Sequence, residues 1–312
     1  MAADPTLPLE PWSPDVAVAP APDPALEPEG FVVTADDGTR LHFLDWGGPG
    51  NAAGVLLLPG LLQPAWSWAP VARRLARVTR PVVADLRGQG LSDSPMSGYD
   101  LGTLAADAVA VAEGSGLLAR GAIVVAGHGF GGIVAAAAAH VLGPRCAGVV
   151  LVDGGWERLE VTTDVDVDEF LRGLDEPPEV LRSMDGYLAD RRGYDPSTWD
   201  RDQERAARDA VVETAAGHVV RAVRPHVVEA MVHTMFGWDP AIGVRDVESP
   251  IAALVALGSG DEAARLAELR RTADAHTAAG NRALRVTGFP GVAHNLMRYR
   301  PADVTAAILG IA

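Results

Sequence analysis

Apolar and polar residues follow two distinct patterns along this chain. In "FVVTADDGTRLHFLDWGG" (31–48) they alternate on both sides of Asp37-Gly38, which predicts two half-exposed strands joined by a tight hairpin turn. Beyond it come short runs without a polar break: "GVLLLPG" (54–60), "PVVADLRG" (81–88), "GAIVVAG" (121–127) and "CAGVVLVDGG" (146–155). Stretches of helical period separate them, over about Trp66–Ala76, over 101–113 and in "FGGIVAAAAAHVLG". Continuous apolar strands divided by helices predict a parallel sheet buried on both faces, an α/β fold. The alternation stops at Trp156. Residues 156–244 show no clear strand, only acidic and arginine-rich sequence with apolar helical stripes. It resumes with "SPIAALVALG" (249–258), a helix over about 261–279, "RALRVTGFPG" and a closing helix "PADVTAAILGI". The pattern therefore predicts a core of 30–155 and 245–312, interrupted by a helical insertion at 156–244.

Composition narrows the chemistry. The chain has 312 residues, a formal charge of -15 and 26 basic residues, all arginine. Without lysine there is no Schiff-base chemistry, pyridoxal attachment or Walker-type phosphate lysine. The acidic balance disfavours nucleic acid and anionic membranes as partners. Cys146 is the single cysteine, so no internal disulfide forms, and a reducing, cytoplasmic setting is expected. Residues 1–29 hold eight prolines and six acids, with Pro5, Pro8, Pro11 and Pro14 three apart, and predict a disordered leader.

"VVAGHGFGG" (124–132) falls between a strand and a helix and can be read two ways. As G-x-G-x-x-G, Gly127, Gly129 and Gly132 would cradle a dinucleotide pyrophosphate, with Asp153 near the ribose. As G-x-S-x-G, it is a nucleophile elbow with glycine at the nucleophile position, 129. Three other stretches favour the elbow. "LLLPGLLQPAWSW" places Pro59-Gly60-Leu61 at a strand end, "DLRGQGLSD" (85–93) ends the next strand, and "GFPGVAHNLMRYRP" sets His294 in a glycine-rich loop after the last strand.

Together these residues resemble the α/β-hydrolase superfamily, particularly its capped bacterial members: meta-cleavage-product hydrolases, epoxide hydrolases and haloperoxidase-like esterases. The resemblance covers about residues 30–312 and implies a cofactor-independent hydrolase with 156–244 as a helical cap over a small-molecule site. It implies His294 as general base and backbone N–H groups of Leu61 and Phe130 as the oxyanion hole. Asp261, in "GSGDEAARL", matches the family's usual acid position and is the first choice for orienting His294, although Asp before "EAARLAEL" is also a plain helix N-cap. Asp153 is the alternative. The family carries serine, cysteine or aspartate at the elbow centre; this chain carries Gly129.

Other residues enter with smaller claims. His128 is expected to pack the elbow. Ser92 and Asp93 lie on a loop facing the site, where Ser92 could replace the missing nucleophile or simply be a turn serine. Trp66 and Trp238 could line an apolar pocket or fill the core. His226, Glu229 and His233 share a helix face without a recognised zinc spacing, so no metal is expected. Three functional readings remain open: an enzyme working through a His–Asp dyad alone, a ligand-binding pseudoenzyme, or a serine hydrolase inactivated by glycine at 129.

Overall fold

The computed structural model describes residues 19–174, 182–258 and 261–311. Ten strands form: β1 (Glu29–Thr34), β2 (Arg40–Asp45), β3 (Gly54–Leu58), β4 (Arg80–Ala84), β5 (Ile123–His128), β6 (Cys146–Val152), β7 (Val211–Glu213), β8 (Val219–Arg221), β9 (Ile251–Leu257) and β10 (Arg285–Pro290). Eight build one sheet in the order β1-β2-β4-β3-β5-β6-β9-β10. The β1-β2 hairpin turns at Asp37-Gly38 and is antiparallel, β2 runs antiparallel to β4, and the remaining pairs are parallel. The sheet has the topology and class that the apolar runs predict.

Those runs are unbroken because both faces are covered. Leu56, Leu58, Val125, Val149 and Leu151 enter one core; Val55, Leu57, Val124, Val150 and Val152 enter the other. Side chains alternate along a strand, so each core needs every second residue to be apolar. Helix α1 (Ala69–Leu75) covers the second face, while α2 (Leu101–Gly114) and α3 (Phe130–Leu142) cover the first. Alanines at 135, 136, 138 and 139 are buried in α3, where small side chains let the helix sit close to the sheet.

Between β6 and β9 lie α4 (Leu159–Thr162), α5 (Val167–Leu174), α6 (Met184–Tyr194), α7 (Arg201–Asp209), α8 (Pro225–Phe236) and α9 (Pro240–Gly243). This insertion is mainly helical but, contrary to expectation, holds the antiparallel β7-β8 hairpin. Its strands are three residues long, too short to establish a period in the sequence. The chain closes with α10 (Glu262–Ala278), α11 (Leu296–Tyr299) and α12 (Pro301–Leu309). Among the described residues no helix is long and apolar enough to cross a membrane.

The expected leader needs a correction. Pro5 to Pro14 lie outside the described residues, but residues 20–28 are docked on the protein. Leu26 packs into the second core. The Leu26 carbonyl accepts from Arg73, the Pro20 carbonyl from Arg74 (3.0 Å) and the Pro24 carbonyl from Arg201 (2.6 Å). Glu27 pairs with Arg73, Arg201 and Arg205. Arg73 belongs to α1 and the other two to α7, so this segment straps the insertion to the sheet layer. Composition could not show it, because the contacts are backbone carbonyls and one acid meeting arginines distant in sequence.

Candidate active site

The geometry follows from strand order. β3, β5 and β6 are adjacent and parallel, with Leu58 opposite Gly127 and His128 opposite Val152. The turns that leave them at Gly60–Leu61, Gly129 and Asp153 therefore emerge side by side at the carboxyl edge, where open α/β sheets bind ligands.

Gly129 stands at φ 51°, ψ -117°, between β5 and the first residue of α3. A left-handed φ of this kind costs a non-glycine residue about 1–3 kcal/mol, and glycine removes that cost. The neighbouring glycines are held by close backbone approach. A Cβ on Gly127 would lie 1.9 Å from the Gly131 carbonyl oxygen, one on Gly131 would lie 2.3 Å from that of Leu58, and one on Gly132 would lie 2.6 Å from that of Gly154. These glycines are therefore required by the packing of α3 against the strand ends. Asp153 is likewise engaged within the protein, which weighs against the dinucleotide reading.

His294, in the loop between β10 and α11, reaches across to Asp153: its Nδ1 lies 2.6 Å from Asp153 Oδ2. The expectation for Asp261 is not met. Its side chain accepts from the Ala264 N–H (3.0 Å) and caps α10, exposed to solvent. Asp153, the alternative, is the partner of His294, and its carboxylate is buried. Burial pushes this carboxyl up, but the His294 hydrogen bond, the Arg265 charge and the Ala256 N–H outweigh it and hold the group below its usual range.

The imidazole's other nitrogen faces the elbow. A Cβ on Gly129 would lie 3.2 Å from His294 Nε2 and 3.5 Å from its Cε1, the nearest described atoms outside Gly129 and its chain neighbours. Among the described residues the N–H groups of Leu61, in the turn after β3, and Phe130, at the start of α3, have no hydrogen-bond partner. Two glutamines hold the Leu61 turn. Gln89 Nε2 donates to the Gly60 carbonyl (3.2 Å), its Oε1 accepts from Leu62 N, and Gln63 Oε1 accepts from Gly60 N (3.1 Å). Leu62 takes a left-handed φ of 63° in this turn.

His128 is fully buried under the site, its Nε2 3.0 Å from the carbonyl of His294 and its Nδ1 3.0 Å from Gln63 Oε1. Burial, reinforced by the neighbouring His294, lowers its pKa to about 3 and keeps it neutral. A neutral imidazole has a single N–H to donate, so only one of these two contacts is a donated hydrogen bond, and the ring packs between the histidine loop and the Leu61 turn.

Several candidates take structural places instead. Ser92 donates to the Asp85 carbonyl (2.8 Å) and accepts from His42 N (2.9 Å), so its hydroxyl is committed. Asp93 accepts from Arg40 N (3.0 Å). Trp66 packs edge-on against Trp46 beneath Arg205, in the second core. Trp238 donates to the Gly155 carbonyl (3.0 Å) in the first core. His226 Nε2 meets the Pro95 carbonyl at 3.1 Å, and no metal-binding cluster occurs among the described residues. Sequence reasoning passed over Gln63, Gln89, Glu157 and Arg265. Gln63, Gln89 and Arg265 lie within "LLLPGLLQPAWSW", "DLRGQGLSD" and "GSGDEAARL", but nothing local marks their partners.

A model of the α/β hydrolase family matches residues 55–308. N-formylmaleamate deformylase of Pseudomonas putida is 39% identical over 118 residues, 38% of this chain and 42% of that protein. Non-heme chloroperoxidase of Streptomyces lividans is 36% identical over 121 residues, 38% of this chain and 43% of that protein. The matched segment thus spans about two fifths of these relatives. Among solved structures, E-2-(acetamidomethylene)succinate hydrolase superposes with a TM-score of 0.75 at 20% identity, covering 91% of this chain and 98% of its own. N-formylmaleamic acid deformylase of Pseudomonas putida S16 gives 0.65 at 23% identity over 91% and 100%. These superpositions establish likeness of fold.

Proposed function

The chain belongs to the α/β-hydrolase family, and on that premise we propose that it hydrolyses a small amide or ester carbonyl by direct attack of water, with His294 as general base. The observation that carries this reading is the space above Gly129. Apart from Gly129's own chain neighbours, the described atoms nearest a side chain there belong to the His294 ring, and in this reading a water held there gives its proton to Nε2 while the Leu61 and Phe130 N–H groups serve the carbonyl oxygen. In relatives with a side-chain nucleophile, that volume belongs to the nucleophile.

The chemistry balances without a covalent intermediate. Water oxygen bonds to the carbonyl carbon as Nε2 takes a water proton. The carbonyl electron pair moves onto oxygen, where the two N–H groups stabilise the developing charge. Asp153, ionised and bonded to Nδ1, holds the ring's orientation and stabilises the imidazolium. Collapse breaks the bond to the leaving nitrogen or oxygen, and Nε2 returns its proton there, giving a carboxylic acid and an amine or alcohol. The deformylase relative points to small amides as the first class to try. The insertion at 156–244 would serve as the cap that selects among them.

The test is turnover of small formamides, acetamides and activated esters by the unaltered protein. Slow hydrolysis without a burst is expected, and His294→Ala should reduce it by about 10²–10⁴-fold, the usual weight of a general base. Asp153→Asn should also cause a large loss. Turnover that is insensitive to His294→Ala would overturn the reading. Saturable ligand binding with no turnover at all would leave the pseudoenzyme as the better account.

A further inference from the structure

The second oxygen of Asp153 is as firmly engaged as the first. Oδ1 accepts from Ala256 N (2.8 Å) and from Arg265 Nη2 (2.9 Å). Arg265, on α10, is buried, and three more of its five N–H groups are also taken. Nε and Nη2 fork onto Glu157 at 3.0 and 3.1 Å, and Nη1 donates to the Ala256 carbonyl (2.9 Å). The guanidinium carbon sits 4.9 Å above the Trp156 ring. Glu157 is buried beside it and shares this one cation with Asp153.

Counting charge gives this cluster a meaning beyond packing. At rest, Asp153, Glu157 and Arg265 sum to one negative charge. When the exposed His294 takes a proton, it and these three buried groups sum to zero. Without Glu157, the same proton would create a net positive cluster; without Arg265, the resting site would hold two unneutralised carboxylates. In a medium of low dielectric, such differences act strongly over one or two contacts.

We propose that Arg265 and Glu157 are positioning residues for the His294–Asp153 pair, setting through Asp153 how strongly the imidazole holds the proton it takes in the reaction. This rests on the reading of His294 as the base. The groups facing the imidazole are Asp153 from the end of β6, His128 from the end of β5 and, through Asp153, Arg265 from α10 with Glu157. His128 is neutral, which leaves the charge balance to the other three.

Two readouts separate this role from simple structural support. In the unaltered chain, the His294 Nδ1 proton should give a downfield NMR resonance, assigned by its loss in His294→Ala. Arg265→Gln should move it further downfield as Asp153 regains its full charge, Arg265→Lys should return it toward the parent position, and Glu157→Gln should move it upfield. The second readout is the pH profile of fluorophosphonate labelling in a Gly129→Ser background. Its midpoint should rise by about one pH unit in Arg265→Gln and fall by a smaller amount in Glu157→Gln. Opposite shifts support the proposal; a resonance and a midpoint unmoved by both substitutions overturn it. If Arg265→Gln fails to fold, Glu157→Gln decides, because Arg265 keeps its bonds to Asp153 and Ala256. The NMR arm needs no turnover. A parent that is inactive on every substrate yet shows these resonance shifts would count against the hydrolytic reading alone.

Discussion

Replacing Gly129 with serine should yield a protein that reacts covalently with fluorophosphonate probes, while the unaltered chain does not. The backbone already holds the elbow conformation, so no rearrangement is needed to present the new side chain. Among the described residues beyond its chain neighbours, the added Cβ meets the His294 ring, 3.2 Å from Nε2 and 3.5 Å from Cε1. This is tighter than ordinary contact by a few tenths of an ångström, and the imidazole, 56% exposed, can yield outward. The hydroxyl then falls within reach of Nε2 with the Leu61 and Phe130 N–H groups alongside. Activity on small activated esters should rise by about two orders of magnitude or more, because nucleophile and base act as a unit. His294→Ala in the serine background should remove the gain. The φ of 51° imposes a cost, so Gly129→Ser should also lower stability by about 1–3 kcal/mol. A folded Gly129→Ser protein that takes no label would show that base and elbow are not aligned for reaction.

Asp202→Ala should produce the largest loss of stability among surface-layer substitutions. Arg73 lies on α1 and Asp202 on α7, and they form a two-pronged pair at 2.7 and 2.9 Å with both side chains buried. Removing the acid strands a buried guanidinium, which typically costs about 3–5 kcal/mol. The Leu26 carbonyl and Glu27 still contact Arg73, so the lower end of that range is expected. Thermal unfolding should shift down by roughly 5 °C, and hydrogen exchange should accelerate in α7 before the sheet. Joint replacement by Arg73→Met and Asp202→Leu should recover much of the loss, because it leaves neither charge buried alone. Deleting residues 1–28 should destabilise in the same direction by removing the strap. An unchanged melting temperature after that deletion would mean that the docked segment contributes nothing to holding the insertion.

The sheet was legible in the sequence because burial on both faces forces a local signature. A strand with apolar neighbours above and below must be apolar at every position, and "GVLLL", "IVV" and "VVLV" could hardly be exposed. The hairpin at Asp37-Gly38, the elbow at Gly129 and the histidine in the final loop are also local, each marked by glycines whose backbone a side chain would strain or obstruct. What the sequence by itself determined is therefore the α/β class and the succession of strands in the main sheet, with a glycine at 129 and a histidine after the last strand as candidates.

Only the tertiary structure decided the partners. Asp153 and Asp261 both follow strands, and both precede plausible helical sequence. Strand order separates them, because β6 lies directly beside β5 whereas the start of α10 projects into solvent, and a carboxylate can orient an imidazole only at hydrogen-bonding distance. The same holds for Arg265 between Asp153 and Glu157, for the glutamines that hold the Leu61 turn, and for the proline-rich segment that docks on Arg73 and α7. Their sequence separations are large and their residue types common, so no window of the chain records them. Charge pairing and backbone carbonyl acceptors have no periodicity, and it is the folded arrangement that selects which of many equivalent acids and arginines meet.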